Sequence, residues 1–217
     1  MTYLSAKLFA WLQSAEFYEN FHTEAMRELP EGKGEKWIDI GCGPGLLTRL
    51  ASAKGYNATG IDGDKFMIRE AMKIAKKSKS SAFFACGDLY DIPSHSADIV
   101  SASSLIAMLD DKTGGFRALL NIVKPGGSLI ILEPTNLLTP NAVDTWIKKG
   151  MRGKRIFALR LWAHARKNLA TNPMIYNSPD IEQIVFSPLY GGLVGMWIIQ
   201  KKQTRYPVSS ILPSHPM

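Results

Sequence analysis

Residues 36–45 read Lys36-Trp37-Ile38-Asp39-Ile40-Gly41-Cys42-Gly43-Pro44-Gly45, a short, largely apolar run that opens into three glycines at alternate positions. The run predicts a buried strand, and LLTRLASA directly after it carries a helical pattern. A chain passing from strand to helix through Gly-x-Gly-x-Gly can turn sharply and keeps Cβ atoms away from anything lying against the backbone. The same alternation continues downstream. NATGID (57–62) reads as a strand, residues 65–77 as a helix with the stripe Ile68, Ala71, Met72 and Ala75, and SAFFACGD (81–88) and ADIVSASSL (97–105) as further strands. A helix around Phe116 to Val123 follows, then KPGG turning into SLIILEP (128–134). Strands alternating with helices of this length predict a parallel sheet covered on both faces, in one α/β domain.

Outside this block the rhythm differs. The first thirty residues read as helix, with Phe9, Leu12, Ala15, Phe17 and Phe21 at roughly helical spacing until Pro30 and Gly32 end the pattern. Residues 138–172 read as a helical insertion broken near Gly150 and Gly153. Ser178-Pro179 reads as an N-cap followed by proline at the first helical position, predicting a short helix through Val185. LYGG and LVGMWIIQKK (193–202) close the chain as a hairpin at the sheet edge, and the Pro/Ser-containing tail 203–217 reads as flexible.

The 217 residues are 46% hydrophobic and 21% charged, ordinary globular usage that excludes disordered and collagen-like classes. Formal charge is +7, and it is concentrated. Lys148, Lys149, Arg152, Lys154, Arg155, Arg160, Arg166 and Lys167 fall within twenty residues that contain no Asp or Glu. The other 197 residues carry 18 positive and 19 negative charges, so the body is nearly neutral. If residues 155–169 are helical, Phe157, Leu161, Ala165 and Leu169 form one row with Trp162 beside it, and Arg160 and Lys167 lie largely opposite; Arg155 and Arg166 extend the charged side, which Ile156 and Leu159 interrupt. Such a helix can roof a cleft, present cations to an anionic acceptor or nucleic acid, or lie on an anionic membrane with Trp146 and Trp162 at the interface. Cys42 and Cys86 show neither metal-ligand spacing nor a paired pattern, which predicts a reducing, cytoplasmic setting. Neither a signal peptide nor a membrane-spanning run is read from the sequence.

Chemistry gathers around the glycines. Asp62, seventeen residues after Gly45 at the end of the second predicted strand, is where a carboxylate can accept both hydroxyl hydrogens of a ribose. A dinucleotide loop would be Gly-x-Gly-x-x-Gly, but the position three after Gly43 is Leu46. Asp39, two residues before the first glycine, places a negative charge at the loop and suits a cationic ligand better than a pyrophosphate. An aminoacyl nucleoside fits this combination better than NAD.

Four ordered segments, WIDIGCGPG, GIDGDKFM, CGDLYDIP and LNIVKPGGSLIILEP, resemble the successive motifs of the class I S-adenosylmethionine (SAM)-dependent methyltransferases, in particular the small-molecule "methyltransferase domain" type. The resemblance covers roughly residues 35–135. It implies a Rossmann-like three-layer sandwich around a mostly parallel seven-stranded sheet with an antiparallel final strand, occupying residues 1–202. Residues 1–30 would be a helical cap and 138–176 a basic insertion or lid. It also implies that Gly41, Cys42, Gly43 and Gly45 line the methionine and ribose, with Asp39 near the donor's amino group and Asp62 on the ribose hydroxyls. Gly63, Asp64 and Met67 would flank the adenine, Asp88 would accept from its amino group, and Leu89 would contact the ring. Ser103 and Ser104 would lie beside the transferable methyl, with S-adenosylhomocysteine as product.

Methyl transfer from a sulfonium is an in-line displacement whose donor is already activated, so neither a nucleophilic residue nor a metal is needed, and a base only for a protonated acceptor. Base candidates are Tyr18, His22, Glu133, His164 and Tyr176. Ser103-Ser104-Leu105-Ile106 lacks the Asn/Asp-Pro-Pro-aromatic element of base-amino methyltransferases, which favours a small-molecule acceptor. Two rivals stay open: an RNA or protein methyltransferase docking on the basic segment, and a SAM-binding module without turnover.

Overall fold

The computed structural model describes residues 7, 10, 11, 13–154, 156–166 and 178–203. Its elements in chain order are α1 (Glu16–Arg27), β1 (Lys36–Ile40), α2 (Leu46–Ala53), β2 (Asn57–Asp62), α3 (Lys65–Ser78), β3 (Phe83–Cys86), β4 (Ala97–Ser103), α4 (Lys112–Ile122), β5 (Val123–Pro134), α5 (Pro140–Lys148), α6 (Ile156–Ala165), β6 (Ile181–Leu189) and β7 (Val194–Lys201). They form one seven-stranded sheet in the order β3-β2-β1-β4-β5-β7-β6. β1 to β5 run parallel, and β7 is antiparallel to both β5 and β6, so the final strand alone is reversed. The chain changes direction along the sheet between β1 and β4, which puts the β1 and β4 carboxyl ends at a topological switch point where α/β sheets open a crevice.

Alternation along β1 assigns its side chains to two cores. Trp37 packs with the α1, α2, α5 and α6 residues, while Ile38 and Ile40 face the α4 side. Asp39, in step with Trp37, therefore faces the α1 and α2 side, where it is 1% exposed. Helix starts follow local chemistry. Asp64 accepts from Phe66 N–H at the head of α3, Asp111 from Gly114 N–H at α4, and Thr139 from Ala142 N–H at α5 with Pro140 behind it.

Four expectations need correction. The N-terminal helical reading breaks at Ala15, whose backbone is extended, before α1 begins. α4 starts at Lys112 rather than near Phe116, because Asp111 caps it. Ser178-Pro179 opens no helix: Ser178 makes a turn, its carbonyl accepting from Ile181 N–H at 3.1 Å, and residues 181–189 pair with β7 as an edge strand. β-Branched Ile181, Ile184 and Val185 in that stretch outweigh the helix start that Ser178 and Pro179 favoured.

The insertion is helical, but α6 buries a different face from the one its strongest apolar row suggested. Ala158, Leu159 and Ala163 are buried, whereas Phe157 and Leu161 are 47% and 53% exposed. The partner decides: Trp162 stacks on Phe21 at 5.7 Å and 3° and packs beside Phe17 at 5.6 Å, so α6 turns its Leu159–Trp162 side onto α1. Trp146 likewise lies against Tyr190, and neither tryptophan is a free membrane anchor. The tail 204–217 and the insertion's 167–176 lie outside the described residues.

Candidate functional site

At the carboxyl ends of β1, β2 and β4 the glycine loop adopts left-handed backbone at Gly41, Gly43 and Gly45, with φ of 66°, 51° and 75°. Asp62 holds this loop. Its Oδ2 accepts from Gly43 N–H at 2.9 Å and its Oδ1 from Asp64 N–H at 2.9 Å. Each oxygen keeps a further lone pair for an outside donor. Burial pushes the Asp62 carboxyl up, so its anion gains from any added hydrogen bond.

Gly41 is a common wall of two spaces. On one side lies an open cleft of about 210 Å³, bounded by Asp62, Gly63, Asp88 and Leu89 and closed by Leu105 and Leu109. On the other a nearly filled hollow of about 10 Å³ is lined by Asp39, Cys42, Ser103, His22, Tyr18 and Gln13. Gln13 lies over the place a Gly43 Cβ would occupy, at 3.4 Å, and donates to the Tyr18 hydroxyl at 2.9 Å. The N-terminal segment thus closes this end. α1 is fastened to the insertion in both directions, Glu16 N–H to the Lys154 carbonyl at 3.2 Å and Lys154 N–H to the Glu16 carboxylate at 2.8 Å.

Asp39 accepts from Thr48 Oγ1 and from Ser101 Oγ, each at 2.7 Å, and no cation is among these partners. Desolvation pushes its carboxyl up to about 6 despite both hydroxyls. A buried carboxylate of this kind is an unneutralised charge facing the hollow, which a cationic group beside Gly41 would stabilise. With the free lone pairs of Asp62 and the cleft beyond, the residues present fit an aminoacyl nucleoside.

The predicted site residues do not all converge. Gly41, Cys42, Asp62, Gly63, Asp88, Leu89 and Ser103 line the two spaces and Asp39 closes the smaller one, while Gly43 borders the loop through its N–H. Gly45 instead packs under Phe84, Asp64 caps α3, Met67 is 2% exposed in the interior, and Ser104 turns its carbonyl to Arg166. Among the base candidates, His22 and Tyr18 meet Ser103. The Tyr18 carbonyl can only accept, so His22 Nδ1 carries the hydrogen in their 2.7 Å bond, and Nε2 accepts from Ser103 Oγ at 2.9 Å. Burial lowers His22 to about 4, keeping it neutral. Desolvation also pushes the Tyr18 phenol up. Glu133 caps the short 3-10 helix Ile106–Met108 by accepting from Ile106 N–H at 2.8 Å, and desolvation takes its carboxyl up to about 7. His164 is exposed on α6 and Tyr176 lies outside the described residues. Gln13, Tyr90, Leu105 and Leu109 were not singled out from sequence; Leu105 and Leu109 become cleft walls only because β4 ends at Ser103 and the 3-10 turn folds back.

Comparison with known proteins places this site in context. Residues 38–131 match the methyltransferase domain family. A trans-aconitate 2-methyltransferase of Rhizobium leguminosarum is 32% identical over 141 residues, covering 61% of this chain and 53% of that protein. A ubiquinone biosynthesis O-methyltransferase of Idiomarina loihiensis is 26% identical over 178 residues, covering 74% and 70%. The chain spans about half the length of the trans-aconitate 2-methyltransferases it matches. In fold it is similar to a proposed S-adenosyl-L-methionine-dependent methyltransferase of Methanococcus maripaludis, with TM-score 0.65 over 95% of both chains at 19% identity. The motif order, the seven-stranded sheet with its single reversed strand, the match over residues 38–131 and the methyltransferase relatives together support a class I SAM-dependent methyltransferase.

Proposed function

We propose that this protein transfers a methyl group from SAM to a small, anionic acceptor held beneath a cap made by the N-terminal segment and residues 138–154 and 156–166 of the insertion. The observation that carries the reading is Gly41 standing between an acid-lined hollow and an open nucleoside-sized cleft, with Asp39 on one side and Asp62 on the other. The relatives named for trans-aconitate and ubiquinone biosynthesis support a small-molecule acceptor, and trans-aconitate is itself an anion.

SAM supplies a methyl group already activated on a sulfonium. Asp39 faces its ammonium end, Asp62 takes the ribose hydroxyls, and Asp88 and Leu89 flank the adenine. The cap holds the acceptor in line and excludes water, an arrangement that contributes up to roughly 7–11 kcal/mol in well-oriented systems. For a hydroxyl acceptor, Ser103 Oγ, whose own hydrogen goes to neutral His22 Nε2, is free to accept the acceptor's hydrogen and orient it. Since a hollow of about 10 Å³ admits no methionine chain, loading requires the Gln13 segment to move outward. Incubation with methyl-labelled SAM and a metabolite extract is expected to give a labelled small molecule together with S-adenosylhomocysteine. SAM binding with no labelled product across extracts sinks the catalytic reading and leaves a binding module.

Asp39 gives this cofactor site a pH signature. Its carboxyl is raised to about 6, and a bound ammonium stabilises the ionised form, so binding expels a proton below that value. SAM affinity is expected to rise up to tenfold per unit as pH increases from 5 to 6 and to level off by 7. Asp39→Asn is expected to bind weakly with no such slope. Calorimetry in buffers of different ionisation enthalpy checks both; equal slopes in the two proteins exclude Asp39 as the source.

A further inference from the structure

We propose that Arg166 anchors a carboxylate of the acceptor at the end of β4, beside Ser103 and Ser104, an assignment that rests on the methyltransferase reading above. Arg166 directly follows α6 and is turned inward. Its Nη2 donates to the Ser104 carbonyl at 2.9 Å. Its Nη1 is buried and has no hydrogen-bond partner among the described residues. The ion pairs among those residues are Lys54–Glu31, Lys124–Asp98 and Arg160–Asp144, and Arg166 is in none of them. A guanidinium nitrogen buried without a partner, as Nη1 is, is costly unless an acceptor completes it.

The surroundings fix where that anion would lie. Ser104, which takes the other edge of the guanidinium, has a left-handed backbone with φ 57°, a conformation a non-glycine residue adopts only when its neighbours impose it. The preceding residue, Ser103, donates to His22 Nε2 on the wall of the hollow beside Asp39 and Gly41. Four residues before Arg166, Trp162 is stacked on Phe21, so the root of the side chain is fixed to the cap. Glu133 is the buried carboxyl that feels the Arg166 charge, yet its Oε1 is committed to the Ile106 N–H and its Oε2 is unpartnered. Desolvation, which raises Glu133 to about 7, leaves it an incomplete counter-charge. One guanidinium edge next to hydroxyls matches a planar carboxylate; a phosphate dianion calls for more cations and donors. Among the described residues of the basic segment, Arg160 is engaged by Asp144 on the surface, and Arg166 reaches the Ser104 carbonyl at the end of β4.

The test uses binding rather than turnover. The full-length protein saturated with S-adenosylhomocysteine is titrated with citrate, tricarballylate, glutarate and benzoate, with the matching amides, and with glycerol phosphate. At least one carboxylate is expected to bind, its amide to bind at least tenfold more weakly, and Arg166→Gln to reduce carboxylate affinity at least tenfold while SAM affinity stays within twofold. Arg166→Lys is expected to recover part of the loss. No carboxylate binding to the wild type, equal binding of carboxylate and amide, or preference for the phosphate overturns the proposal. So does an unchanged carboxylate affinity in Arg166→Gln, or a parallel fall in its SAM affinity, which moves Arg166 to the cofactor. Failure of the wild type to bind SAM at all instead removes the parent reading.

Discussion

Replacing Asp62 by alanine is expected to weaken SAM binding by about two to four orders of magnitude in calorimetry. The carboxylate has two tasks on the same two oxygens. It pins the Gly43 and Asp64 N–H groups, which sets the loop, and its remaining lone pairs face the cleft where ribose hydroxyls would donate. Hydrogen bonds to a charged acceptor contribute about 1.5–3 kcal/mol each, so losing two corresponds to a loss on the order of 10²- to 10⁴-fold before any loop relaxation. Asp62→Asn keeps an acceptor oxygen but gives up the charge, and a smaller loss, about tenfold, is expected. Unfolding midpoints of both variants separate a damaged loop from a damaged fold. An Asp62→Ala protein that folds and binds SAM within threefold of wild type sinks the ribose assignment.

Much of this site is legible in the sequence because it is local. A strand ending in alternate glycines, with an acid at the end of the next strand, brings Gly41, Asp39 and Asp62 together in any parallel sheet that places β1 beside β2. Residues whose positions depend on distant packing are not legible in the same way. Arg166 reads as one of eight charges in a basic run, and only the stacking of α6 on α1 through Trp162 and Phe21 turns it inward. The same contact inverts the apolar face of α6, because Leu159 and Trp162 pack into the cluster around α1 while Phe157, beside Trp11, and Leu161 stay exposed. Charge fares similarly. Arg160 is held by Asp144, which lies outside the run, and Lys148, Lys149 and Arg152 gather at the carboxyl end of α5 where its dipole favours cations. Among the described residues of the basic run, the charge is therefore divided among a helix end, one surface ion pair and one inward guanidinium.

Gly45 carries the largest expected effect on folding. The resemblance assigns it to the cofactor, yet a Cβ there would run into the Phe84 ring and approach Ala71 Cβ at 3.3 Å, with φ at 75°. The third glycine is thus required by packing, because α2 begins under β3 and α3. Gly45→Ala is expected to cost about 1–2 kcal/mol for the left-handed backbone and about 1–3 kcal/mol for overpacking, out of a typical total stability of roughly 5–15 kcal/mol. The two contributions can be separated. In a Phe84→Ala background the ring is gone, so the same glycine substitution is expected to cost only the backbone part, giving a coupling energy of about 1 kcal/mol or more in a urea-denaturation double-mutant cycle. Additive effects at the two sites, within about 0.5 kcal/mol, disprove the steric account of Gly45 and return it to the ligand-lining role. The affinity of the folded fraction gives the complementary readout: packing alone leaves SAM binding of folded Gly45→Ala close to that of wild type, whereas a lining glycine does not.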